Sequence, residues 1–319
     1  MEKVNETLLT EFFILGLSQN PQLQVPIFLV FLLMYLFTLL GNLVIIGLIC
    51  IDAHLQIPMY YFLMNLSFLD IGFTTVTIPK LLEVCLKDKK SDKSIKFSSC
   101  ILQFYFCISF ISTEFYLLSV MAYDRYIAIC NPLRYASLMN KRALVSLTIA
   151  SWILGFLDTI AHTVLISNLS FCASNEINHF FCDLNALLEL SCTDTYFINI
   201  ATFGEGIVIG LGPFMLTITS YVLIISNIMK VHSNTGRQKL FSTCSSHLTA
   251  VILFYGTELG VYMKPTSEYS LDEDKLFAVM YTIVIPMLNP ILYSLRNKDV
   301  KGALKKAIWK HRRTSTVLQ

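Results

Sequence analysis

From Pro26 to Ile51 the chain carries no Asp, Glu, Lys or Arg, and that run is longer than the ~20 residues a helix needs to cross a hydrocarbon core. Six further apolar stretches follow, Ile57 to Val84, Phe97 to Ile129, Ala143 to Ile166, Tyr196 to Met229, Lys239 to Met263 and Lys275 to Leu295. Short polar links separate them, except for the long segment Ser167 to Thr195. The pattern predicts an all-α membrane protein, a bundle of seven transmembrane helices over 26–295, with an N-terminal segment 1–25 and a tail 296–319. In the tail, Val300, Ala303, Leu304, Ala307 and Ile308 recur at helical spacing. Lys298, Lys301, Lys305, Lys306 and Lys310 take the other positions, so a short amphipathic C-terminal helix is expected to lie on an anionic leaflet.

Composition sharpens this reading. Hydrophobic residues make up 55% of the 319 and charged residues only 14%, against roughly 25% charged in a soluble domain. The net charge of +2 is too small for nucleic-acid binding, and the basic residues do not alternate with aromatics. The mixed charge of Met1 to Thr10 does not read as a cleavable signal, so the first helix is expected to act as its own insertion signal. Most of the 24 Lys and Arg residues fall on one side of the expected membrane, from Arg125 and Arg134 to Lys310 and Arg313. That asymmetry puts the N-terminus outside. Lys87, Lys89, Lys90 and Lys93 run against the rule, but glycosylation triplets at Asn5 and Asn168 agree with it.

In this topology four of the nine cysteines, Cys100, Cys172, Cys182 and Cys192, share the oxidising side. The even spacing of the last three reads as a stapled loop anchored at Cys100, and three connectivities are possible. Cys50, Cys130 and Cys244 are expected to stay reduced.

Met121 to Cys130 reads MAYDRYIAIC, and the chain also contains HLQIPMYYFLMNLSFLD from His54, KLFSTCSSH from Lys239 and PMLNPILYSLRN from Pro286. Together with Ser220-Tyr221 these resemble the signatures of vertebrate odorant receptors, a branch of the rhodopsin-like G-protein-coupled receptors. The resemblance spans nearly the whole chain. His54-Leu55-Gln56-Ile57-Pro58 departs from it by one extra residue before the proline, and Ile127 stands where Val is frequent. The resemblance implies disulfides Cys100–Cys182 and Cys172–Cys192. It further implies coupling to a stimulatory olfactory-type G protein through Asp124, Arg125, Tyr126, Tyr221, Asn289, Pro290 and Tyr293, raising cyclic AMP. It also implies an allosteric sodium position at Asp70, with Glu114 near enough to share the cation. Plasma-membrane residence, in the cilia of olfactory neurons, is the corresponding localisation.

The residues support these roles on physical grounds. An Arg beside an Asp at a membrane helix end can be held by its neighbour or released to a partner, which suits a two-state element. Pro290 and Pro213 each remove a backbone hydrogen bond and loosen their helices. Asp70 and Glu114 lie inside spans, where a charge must face protein or water; a protonated, hydrogen-bonded pair is the plainer reading of both.

A ligand pocket is expected in the outer half of the bundle. Tyr255, Glu258 and Tyr262 share one helical face, which the resemblance turns inward. Cys107, Ile108, Ile111 and Ser112 would line it from the third helix, and Glu205 and Ile209 from the fifth. A lone acid there would pair with His162 or stay protonated; an ionised Glu258 would favour a protonated amine or a strong hydrogen-bond donor.

Enzyme chemistry lacks an activation constellation or a phosphate loop, and a retinal protein needs a lysine that Leu276 to Leu295 does not contain. A small-solute transporter using the intramembrane carboxylates remains the alternative, although it predicts half-repeats that the sequence lacks. No His and Cys spacing suggests a transition metal.

Overall fold

The computed structural model describes residues 10–171, 174–262, 271–296 and 300–306. Seven long helices build it: α1 (Pro21–Ile51), α2 (Pro58–Cys85), α3 (Phe97–Cys130), α4 (Lys141–Ser167), α5 (Tyr196–Met229), α6 (Asn234–Tyr262) and α7, which runs as Leu271–Val279, Met280–Val284 and Ile285–Arg296. The expected seven-helix bundle is the observed one. Six of these helices are long and apolar enough to cross a membrane. The seventh, α6, has 29 residues and so the length to cross, but its first half is the polar KLFSTCSSHLT segment.

Helix α3 is the axis of the bundle, packing on α2, α4, α5 and α6, while α1 packs on α2 and α7. Gly155 makes the α3–α4 approach possible, because a Cβ there would sit 2.7 Å from the backbone nitrogen of Thr113. Side chains facing lipid, such as Leu33, Leu40, Leu157 and Val222, are exposed and apolar.

The helix ends follow local chemistry. Helix α1 begins at Pro21, earlier than the apolar run, because Asn20 caps it by accepting from the Gln22 amide at 3.0 Å and proline suits the first helical position. Within α5 the turn Gly206–Leu211 is π-helical just ahead of Pro213, where the missing N–H frees a carbonyl. In α7 the corresponding wide turn is Met280–Val284, ahead of Pro286. Pro290, the expected point of loosening, sits within the regular segment Ile285–Arg296.

A small sheet closes the end of the bundle that holds Cys100. Strand β1 (Glu11–Ile14) lies between β2 (Ser94–Lys96), to which it is antiparallel, and β3 (Glu176–Ile177), to which it is parallel. Phe12 is fully buried against Phe97 and Phe171, beside the Cys100 and Cys182 pair. Gly16, at φ 80°, then turns the chain and donates its amide to the His179 carbonyl at 3.1 Å. At the opposite end residues 300–306 are helical; Val300 and Ala303 are buried while Lys301 and Lys305 are exposed. Ala307 and Ile308 lie outside the described residues.

Candidate functional site

The Cys100 end is held by disulfides and by side-chain hydrogen bonds. Cys100 and Cys182 form a disulfide with Cα atoms 5.5 Å apart, as the resemblance implied. Cys192 is disulfide-bonded as well, and its expected partner, Cys172, lies outside the described residues. Cys50, Cys85, Cys107, Cys130 and Cys244 are free thiols. Gln103 on α3 then ties two neighbours together: its oxygen accepts from the Cys182 amide at 3.0 Å, and its nitrogen donates to the Val76 carbonyl of α2 at 2.8 Å.

Beneath the strap the loop turns inward. Asp183 caps the short helix Leu184–Glu189, accepting from the Asn185 amide at 3.0 Å and from the Tyr281 hydroxyl of α7. Loss of water around Asp183 pushes its carboxyl above the usual range, against the pull of those donors. His179 is buried, stacked on Phe180 and edge-on to Phe181. Burial, and next the charge of Lys275, hold it down to about 3, so it is neutral. Lys275 itself donates to the Asn178 side chain at 2.8 Å.

Most of the expected pocket residues belong to the buried core of the bundle. Cys107, Ile111, Ile209 and Tyr255 are buried in one core cluster, and Ile108 packs on it partly buried. Ser112 is buried on the same stretch of α3. Tyr255 is packed by Phe115 and Phe214, with ring centroids 5.2 and 4.8 Å away. Glu258, one turn further along α6, is 2% exposed, and both its carboxylate oxygens lack a hydrogen-bond partner. The charged groups it feels are Glu114 and Asp183. The side chain of Tyr262 lies outside the described residues.

Glu205 is turned elsewhere. Its carboxyl meets Nδ1 of His162 on α4, beside Asp158, and the same imidazole meets the Thr202 hydroxyl at 3.0 Å. This is the pairing with His162 that the sequence reading allowed for a lone acid, and it joins Glu205 to the α4–α5 seam.

In mid-bundle, Asn289 donates its amide to both oxygens of Asp70, at 3.1 and 3.2 Å. Asn42 ties α1 to α7 by donating to the Pro286 carbonyl at 3.2 Å. Asp70 and Glu114 are both buried and feel each other's charge. The buried side-chain oxygens of Asn42 and Asn289 have no partner. Among the described residues, no three His, Cys, Asp or Glu side chains form a metal-binding group.

At the far end of α3, Arg125 holds Asp124 through two nitrogens, at 2.6 and 3.1 Å. Tyr135, on the one-turn helix Tyr135–Leu138, donates to the other Asp124 oxygen at 2.8 Å. Tyr126 packs on the cluster of Tyr221 and Ile224. The Tyr221 hydroxyl meets His247 Nδ1 at 2.6 Å, and Tyr293 is buried with its hydroxyl unpartnered. Pro290 packs against α1, where a Cβ on Gly41 would come within 3.0 Å of its ring. Asn5 lies outside the described residues.

Sequence reasoning missed Gln103, Tyr135, Asp183 and His247 as site residues. His247 stood inside the quoted KLFSTCSSH motif, and Asp183 follows a bridged cysteine directly. Gln103 and Tyr135 offered no signal of their own.

A seven-helix membrane body, with a disulfide-strapped, mostly apolar interior at one end and an Asp-Arg latch at the other, defines the G-protein-coupled receptor class. The family model for olfactory receptors matches residues 31–311, and the chain belongs to the olfactory receptor family. It is similar to olfactory receptor 5AR1 of Mus musculus, with 49% identity over 310 residues that cover 97% of this chain and 99% of that protein. Olfactory receptor 1C1 of Homo sapiens is 47% identical over 310 residues, 97% of this chain and 98% of that protein. The protein is therefore a multi-pass membrane receptor for odorant-type small molecules that works with a G protein, and it is not an enzyme.

Proposed function

We propose that this receptor binds a small volatile molecule among Cys107, Ile108, Ile111, Ser112, Ile209, Tyr255 and Glu258, and in response activates a stimulatory olfactory-type G protein that raises cyclic AMP. The observation that carries the reading is the arrangement along α3. Its Cys100 end runs into a buried apolar cluster beside an acid without a partner, and its Asp124 end carries a charged latch. Such interiors, mostly apolar with a few polar groups, are the usual form of small-ligand sites. Arg125, once freed from Asp124, would offer its guanidinium to the G protein, while Tyr221, Asn289, Pro290 and Tyr293 support the helix rearrangement that frees it.

In this reading the N-terminus faces outward with a glycan at Asn5, residues 1–25 are extracellular, and 296–319 face the cytoplasm. The receptor works at the plasma membrane, in olfactory cilia. Asp70 and Glu114 would hold a sodium ion, with the unpartnered Asn42 and Asn289 oxygens as further hard donors. A hard cation suits this all-oxygen set, and when bound it would neutralise two buried acids.

The test is a panel of volatiles sorted by chemical class and read as cyclic AMP in cells expressing the receptor. A ligand-dependent rise that disappears in Arg125→Ala supports the reading. Ligand flux into vesicles without nucleotide exchange would reinstate the transporter alternative.

A further inference from the structure

Buried acids in a membrane protein are ordinarily neutralised by a basic side chain, a cation or a shared proton. Here the interior of the Cys100 half holds Glu258, with Asp183 on its loop side and Glu114 deeper in the bundle, and each of these two contributes negative potential at Glu258. Among the described residues, the nearby bases are otherwise engaged or uncharged: Lys275 donates to Asn178, His162 pairs with Glu205, and His179 is neutral. Asp183 is already satisfied by backbone amides and Tyr281. Glu258 is different, since both its oxygens are buried and unpartnered. Tyr255, one turn from Glu258 on α6, shares a buried apolar core with Cys107, Ile111 and Ile209 of α3 and α5. A complementary molecule would therefore carry one cationic, hydrogen-donating head and a hydrocarbon body.

We infer that the ligand class of this receptor is a small aliphatic amine. Its ammonium docks on Glu258 within the field of Asp183 and Glu114, and its tail lies against Cys107, Ile111 and Ile209. This rests on the receptor reading above and adds the chemistry of the ligand to it. The ammonium group has three donors to offer, and a charge-assisted hydrogen bond to a desolvated carboxylate is among the stronger ones available. A neutral alcohol or ketone of the same length leaves the Glu258 carboxylate without a counter-charge.

The experiment uses the full-length receptor with four probes on one six-carbon chain: hexylamine, hexanol, hexanal and N-acetylhexylamine, in which acetylation removes the charge and leaves a single N–H donor. Two signals are read, the thermal stabilisation of purified receptor and nucleotide exchange on the G protein. Hexylamine is expected to act at a concentration at least tenfold lower than the three neutral probes. Glu258→Gln should erase that advantage. Asp183→Asn, which keeps a good helix cap, should reduce the advantage by a smaller factor. Equal potency of hexylamine and N-acetylhexylamine in the parent overturns the inference without needing any variant to fold, as does an unchanged amine advantage in Glu258→Gln. No stabilisation by hexylamine also overturns it; if hexanol or hexanal still drives exchange, the receptor reading survives. Selective stabilisation by hexylamine without exchange leaves the amine site standing and removes the proposed coupling.

Discussion

Tyr135 reaches back from the link after α3 to donate its hydroxyl to Asp124 at 2.8 Å, on the oxygen that Arg125 leaves free. The acid that holds the arginine is thus itself held from a separate element. Asp124 is wholly buried, so both of its oxygens need donors. Release of Arg125 must leave Asp124 with Tyr135 as a remaining donor, which ties the latch to the position of this link.

Arg125→Ala is expected to silence nucleotide exchange at normal surface level while ligand-induced thermal stabilisation is retained. Tyr135→Phe should tighten the latch, because once Arg125 leaves, the buried Asp124 would lack the remaining Tyr135 donor, a loss on the order of 1.5–3 kcal/mol for a charged partner. Basal exchange is then expected to fall severalfold. A full cyclic AMP response from Arg125→Ala would sink the first expectation, and a basal rate unchanged in Tyr135→Phe would sink the second.

Gly155 allows the close α3–α4 approach at Thr113. Gly155→Ala places a methyl group against the Thr113 backbone, which cannot swing away as a side chain tip could. A cost of roughly 1–3 kcal/mol for overpacking should appear as a lowered melting temperature and reduced surface expression. Gly210→Ala is the control, since nothing lies within 4 Å of a Cβ there. Equal stability of the two variants would contradict the account.

His179 should make the loop acid-sensitive. Its folded pKa, about 3, lies below the usual 6.5, so the unfolded chain takes up the proton first. The stabilising contribution is complete above pH 6.5 and is lost as pH falls from 6.5 towards 3. At pH 5 the loss is about 2 kcal/mol. Melting of purified receptor at pH 7 and pH 5 should therefore differ more for the parent than for His179→Gln. Identical pH slopes would remove His179 from the explanation.

The strap depends on a covalent bond and a side-chain amide together. Cys182→Ser should abolish surface expression, whereas Cys85→Ser, at a free thiol, should reduce it little. Gln103→Leu leaves the Cys182 amide without its acceptor and costs about 1–3 kcal/mol; lowered surface expression with the disulfide still present in non-reducing peptide maps is the expected result. Normal expression of Gln103→Leu would show that the disulfide suffices alone.

The spans, their number and the latch motif were legible in the chain, because lipid as solvent demands long charge-free runs and admits charges only where protein or water can meet them. Cys100 to Cys182 followed from resemblance, and the structure bears it out. Partner choice was not legible. The strand Glu11–Ile14 is four residues long, and what makes it a strand is pairing with segments brought near only by the folded loops. Lipid-facing and core-facing positions are both apolar here, so periodicity along a helix says little about which neighbour a side chain meets. For that reason Glu205 and Glu258, alike as intramembrane acids in the sequence, part company only in the fold. The α4–α5 seam provides Glu205 with His162, while Glu258, buried on α6, is left without a hydrogen-bond partner.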